Sequence, residues 1–147
     1  MKLNGMCPIC YIKKLFIKPK RINDINMADK YENNAALTPP MGWSSWNTFK
    51  NIIDQEVIYD TAVALKETGL LEAGYRYINI DDNWASSSRD ENGCLIGDKT
   101  RFSDGIPKLV EKINALGIKV GIYSSNGTLT CEDLPASLGN EVKDAEI

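Results

Sequence analysis

The chain has 147 residues, of which 43% are hydrophobic and 25% charged, and its formal net charge is −3. That is the composition of one modest globular domain, with no basic surface or run of like charge to recruit nucleic acid or an anionic membrane. It contains no histidine, which excludes His-based triads, imidazole metal sites and His proton shuttles and leaves acid–base work to carboxylates, Tyr, Lys or Cys.

Residues 1–36 are rich in Lys and Asn and show no sustained period, so they read as a leader segment that packs loosely or contacts a partner. Cys7 and Cys10 form a CxxC within it. The pair is half of a zinc site, a redox pair, or two reduced thiols in a leader. A closed zinc site needs two further ligands. Without histidine these are Cys94 and Cys131, an Asp or Glu, or another chain. Four cysteines are too sparse for a disulfide scaffold. No apolar stretch approaches the ~20 residues of a membrane span. Lys13, Lys14, Lys18 and Lys20 lie within or after the only short apolar run near the start, which is the wrong order for a signal peptide. The expected location is cytoplasmic, and the sequon at Asn126–Gly127–Thr128 is expected to be idle.

The domain proper spans 37–147 and opens at Thr38–Pro39–Pro40, an extended entry. Met41–Trp46 is a short apolar run with strand character. Asp54 is placed to cap a helix, with Glu56 in its first turn, Val57, Ile58, Ala62 and Leu65 at helical spacing, and Gly69 as its stop. Tyr75–Asp82 predicts a second strand and Ala85–Phe102 a polar loop. Ser103 or Asp104 is expected to cap a second long helix, striped by Ile106, Leu109, Val110, Ile113 and Leu116 and closed by Gly117. Ile118–Tyr123 predicts the third strand, and a last helix starts near Asn140 or Glu141. The order β-α-β-α-β-loop-α marks a parallel α/β fold. The nearly apolar second and third strands predict cover on both faces, so a sheet of three such strands is expected to leave one apolar face bare and two edges unpaired.

In parallel α/β folds, ligands gather at the carboxyl ends of the strands. Three polar or aromatic sets stand there: Trp43–Ser44–Ser45–Trp46–Asn47, Asp81–Asp82–Asn83–Trp84 and Tyr123–Ser124–Ser125–Asn126. Asp81 and Asp82 suit sugar hydroxyls, a divalent cation, or the capping of backbone amides. They do not suit the acid and nucleophile of a retaining glycosidase. Such a pair flanks the scissile bond at about 5–5.5 Å, and adjacent residues do not straddle a sugar ring. Trp43, Trp46 and Trp84 are expected near the same mouth, Trp43 as core and Trp46 as a stacking face for a sugar. Tyr123 is either a phenol donor or a barrel filler. A nucleotide-binding alternative fails at the first turn, which reads Gly42-Trp-Ser-Ser-Trp-Asn where G-x-G-x-x-G is needed.

Several strings follow one another in a specific order and spacing. They are Leu37-Thr-Pro-Pro-Met-Gly-Trp-Ser-Ser-Trp-Asn47, Tyr75-Arg-Tyr-Ile-Asn-Ile-Asp-Asp82 with Trp84, Arg101-Phe-Ser-Asp-Gly-Ile106, Leu116-Gly-Ile-Lys-Val-Gly-Ile-Tyr123, Thr130–Cys131, Pro135-Ala-Ser-Leu-Gly139 and Asp144–Ala145. The series resembles the amino-terminal part of the catalytic domain of glycoside hydrolase family 27, the α-galactosidase or melibiase family. The resemblance implies a parallel (β/α)8 TIM barrel, of which about the first three βα units are present. It implies hydrolysis of terminal non-reducing α-D-galactosyl residues from galactosides and galacto-oligosaccharides by a retaining double displacement. The implied partner is a small-molecule carbohydrate, and no metal or organic cofactor is implied. By the same resemblance Asp81 and Asp82 bind galactose hydroxyls, and Trp46 and Tyr123 line the sugar pocket. The family's nucleophile and acid/base correspond to positions beyond Ile147, so these residues alone are expected to be inactive. Asn83 stands where family members often carry a cysteine bonded to the first loop, and Cys131 resembles a cysteine whose partner follows the nucleophile. Within the family, α-N-acetylgalactosaminidase and β-L-arabinopyranosidase specificities are set largely downstream and stay open. A non-catalytic sugar-binding or scaffold module is the remaining alternative.

Overall fold

The computed structural model describes residues 37–145. The chain divides into two units, Met1–Leu37 and Thr38–Ile147, and every described element belongs to the second. The leader at 1–36, with Cys7 and Cys10, lies outside the described residues.

Three short strands, β1 (Gly42–Ser44), β2 (Tyr77–Ile80) and β3 (Lys119–Ile122), form one parallel sheet in the order β1-β2-β3. Helices α1 (Trp46–Phe49) and α2 (Gln55–Glu67) connect β1 to β2, α3 (Ile106–Asn114) connects β2 to β3, and α4 (Glu141–Asp144) follows. The alternation is the one the sequence predicts, apart from α1. That single turn starts at once after Ser45, whose amide still reaches back to the Asn79 carbonyl at 3.1 Å.

Helix α2 begins as expected. Asp54 Oδ1 accepts the Val57 amide at 2.8 Å, satisfying one of the donors every helix start leaves open. Gly69, at φ +78°, supplies the left-handed residue past its end. Helix α3 corrects the sequence expectation, because Ser103 and Asp104 do not cap it. Its N-cap is Gly105, at φ 85°, with no side-chain cap. Asp104 is drawn elsewhere: its amide donates to Gln55 Oε1 at 2.9 Å and its carboxylate accepts Lys112 Nζ at 3.0 Å. A tertiary tie between the starts of α2 and α3 thus displaces a local cap.

The two long helices cover one face of the sheet. Ile58, Ala62 and Leu65 of α2, Ile78 and Ile80 of β2, and Leu109 and Ile113 of α3 are buried in one cluster with Phe102 and Ile118. Each such large side chain contributes about 1.5–3 kcal/mol by leaving water. The register places Trp43, Ile78 and Val120 in one row, on the face of this cluster. The opposite face is not the apolar one expected. Its rows are Gly42–Tyr77–Lys119 and Ser44–Asn79–Gly121, small or polar apart from the Tyr77 ring, with Asn79 and Lys119 exposed. The period-2 alternation of Tyr77-Ile-Asn-Ile80 turns both isoleucines to the helices and Tyr77 and Asn79 to the other face. Gly42 is dictated by closeness, since a Cβ there would lie 2.7 Å from both Cβ and the carbonyl oxygen of Tyr77.

Candidate functional site

The sheet brings three strand ends to one edge, and the middle one carries the carboxylates. Ser44 Oγ of β1 donates to Asp81 Oδ2 at 3.1 Å, and the Asp81 amide donates to Ser45 Oγ at 2.9 Å. Ser45 is fully buried. On the other side, Tyr123 continues the ladder past β3, its amide bonding to the Ile80 carbonyl at 2.9 Å.

Asp81 and Asp82 differ despite being neighbours. Asp81 is half-buried, and its Oδ1 accepts the Asp82 amide at 2.8 Å. Asp82 is only 3% exposed. Its Oδ1 accepts the Asn83 amide at 2.8 Å, and its Oδ2 accepts the amide of Glu132, fifty residues on, at 3.2 Å. Each aspartate therefore caps the next backbone amide, as the plainest sequence reading allows. Each also makes one long-range bond that a mere loop start does not need. Both carboxylates keep lone pairs for further donors. Among the described residues no three carboxylate or thiol side chains group as a metal site requires.

The Tyr123 hydroxyl lies 3.9 Å from Cys131 Sγ. Its ionisation is pushed above the usual tyrosine range, first by burial, then by the hydrogen bond and charge of Cys131, and then by the charges of Asp82 and Asp81. The phenol thus stays a neutral donor within the field of both carboxylates. Cys131 and Cys94 are free thiols.

The three tryptophans do not share the mouth. Trp43 turns to the covered face, edge-on to Phe49 with centroids 5.9 Å apart at 66°. Trp84 is 4% exposed, and its Nε1 donates to the Tyr123 carbonyl at 2.7 Å, bracing the rim from beneath. Trp46 alone remains at the edge, half-buried at the first position of α1. A cavity of about 270 Å³ adjoins Tyr123, but it is lined by Trp84, Leu95, Ile122 and the α4 region and includes neither aspartate.

Sequence reasoning passed over two supports. Ser44 and Ser45 were visible only as polar residues after a strand, with nothing to mark their bonds to Asp81. Nothing local in the sequence marks Arg89. It donates to both carboxylate oxygens of Asp144, at 2.6 and 2.7 Å, and to the carbonyls of Gly93 and Ala136, each at 2.9 Å. The hydrogen bonds from Arg89 hold the Asp144 carboxyl below its usual range. This joins the β2–α3 loop to the β3–α4 loop and α4.

Comparison with known proteins identifies relatives of this arrangement. Residues 38–147 match a family model described as alpha galactosidase A. An alpha-galactosidase of Coffea arabica is 42% identical over 131 residues, 88% of this chain and 35% of the relative. Alpha-galactosidase 2 of Arabidopsis thaliana is 46% identical over 115 residues, 78% of this chain and 29% of the relative. The crystal structure of alpha-galactosidase I from Mortierella vinacea superposes with a TM-score of 0.77 at 46% identity, over 78% of this chain and 29% of that one. The Saccharomyces cerevisiae alpha-galactosidase solved with raffinose gives 0.75 at 39% identity, over 78% and 25%. The chain thus spans about a third or less of these relatives' length. Its parallel sheet of three strands is a partial (β/α)8 barrel, as the family resemblance implies.

Proposed function

The chain belongs to the alpha galactosidase A family, and on that premise we propose that residues 38–147 hold the terminal galactosyl group of an α-galactoside in a retaining glycosidase. Asp81 and Asp82 accept hydrogen bonds from the sugar hydroxyls, Trp46 offers an aromatic face to its C–H side, and the neutral Tyr123 phenol lines the opposite flank.

One observation supports this most directly. The two carboxylates stand at the tip of the central strand and are held by donors from both sides, Ser44 from β1 and the Glu132 amide from the β3–α4 loop. Acceptors fixed before the ligand arrives cost no reorganisation on binding. Each hydrogen bond from a sugar hydroxyl to an ionised carboxylate contributes about 1.5–3 kcal/mol. A sugar presenting its hydroxyl elsewhere leaves a carboxylate unpaired and is rejected.

In a retaining double displacement, one carboxylate attacks the anomeric carbon while another protonates the leaving oxygen, from positions about 5–5.5 Å apart across the bond. Asp81 and Asp82 are adjacent and tied to their own backbone, so bond breaking is assigned to neither. Isothermal titration of the 147-residue chain with galactose and with glucose tests the reading. We expect galactose to bind, glucose to bind more weakly, and Asp81→Ala to abolish the difference. A chromogenic α-galactoside should be held without turnover. Equal affinity for both sugars, or measurable turnover, contradicts this assignment.

A further inference from the structure

We propose that Ser44 is a positioning residue for Asp81, fixing the one carboxylate of the pair that burial does not fix. The inference rests on the sugar-binding reading of that pair.

The two aspartates are secured by different means. Asp82 is 3% exposed, with a backbone amide on each oxygen. Asp81 is half open, and its Oδ1 is held only by the amide of the next residue. Such a local bond does not by itself hold the side chain in one χ1 rotamer. The bond from Ser44 Oγ to Oδ2, at 3.1 Å, joins two strands side chain to side chain and closes that freedom. Ser45 adds to this at the backbone, where its buried hydroxyl accepts the Asp81 amide.

The sheet register explains why position 44 can do this. Ser44 lies opposite Asn79 on the face away from the helices. Asp81 is two residues beyond Asn79 and so returns to that face. The site therefore asks position 44 for a hydroxyl of short reach. A hydroxyl donating to an ionised carboxylate makes one of the stronger neutral-donor bonds.

Threonine keeps the hydroxyl at nearly the shape of valine, which lacks it, so Ser44→Thr and Ser44→Val separate hydrogen bonding from volume. The three-bond couplings from Asp81 Cγ to its backbone nitrogen and carbonyl carbon, measured by NMR on the 147-residue chain, report whether its side chain holds one rotamer. We expect one rotamer in the native chain and in Ser44→Thr, and averaged couplings in Ser44→Val. Galactose affinity should fall roughly tenfold in Ser44→Val and stay near native in Ser44→Thr, the scale of losing one bond to a charged group. An unchanged Asp81 rotamer in Ser44→Val, or undiminished galactose affinity there, overturns the proposal while leaving the sugar reading intact. A native chain with an ordered Asp81 that takes up no galactose removes the sugar reading, and the proposal with it.

Discussion

The two faces of the sheet are built on different rules. The helix-covered face is made of interchangeable material: Ile78, Ile80, Ile113 and Leu109 exclude water, and their value lies in filling space. The bare face is made of particular residues. Gly42 is there because nothing larger fits against Tyr77, Asn79 lies against Gly121, and Ser44 reaches Asp81. Water-excluding packing is therefore concentrated on one side of the strands and residue-specific contacts on the other, although neighbouring residues serve the two.

The sharpest way to break this contrast is to truncate adjacent residues of β2. Ile78→Ala should cost about 2–5 kcal/mol, the range for a fully buried aliphatic side chain. Asn79→Ala should stay within about 0.5 kcal/mol. Urea denaturation measures both, and similar losses would erase the distinction. Gly42→Ala comes next. Its Cβ would meet backbone and Cβ atoms at 2.7 Å, which cannot rotate away, so β1 must shift, at a cost of about 1–3 kcal/mol. An alanine variant as stable as the native chain would show that the β1–β2 spacing is not fixed.

The smallest effect lies in the β2–α3 loop. Asp98 has its pKa lowered from 3.8 to about 2, first by the Thr100 hydroxyl and then by the Arg101 amide. A folded-state pKa below the unfolded one adds stability that is complete above the unfolded value and fades as pH falls through the folded one. Native stability should therefore decline between about pH 4 and pH 2, and Asp98→Asn should flatten part of that decline in acid titrations followed by circular dichroism. An unaltered acid limb would mean that the Thr100 and Arg101 contacts do not persist in solution.

Much of the fold was legible because its signals are local. Asp54, the α2 stripe and Gly69 announce a helix, its face and its end within a few turns. Asp81, Asp82 and Tyr123 stand directly after apolar strands, and the sheet brings their strand ends to one edge. What was missed is non-local. Asp104 looks like a cap until Gln55 and Lys112 claim it. Four residues of α1 are too few to display a period. The apolar character assigned to the bare face came from composition, when the alternation in Tyr77-Ile-Asn-Ile80 already argued otherwise. Trp84 is an aromatic of the kind that stacks on sugars, but its indole donates to the Tyr123 carbonyl just past β3. Arg89 and Asp144 are fifty-five residues apart, and no sequence pattern links them.

The Arg89 guanidinium has one more consequence. It bonds Gly93 in one loop, Ala136 in the next and Asp144 in the helix beyond, with the ion pair largely sequestered at 16% and 7% side-chain exposure. Neither excursion of the chain can peel away without forfeiting bonds that secure the other. Their amides should therefore exchange with solvent deuterium as a single cooperative unit, and the canopy above the strand tips opens all together or not at all.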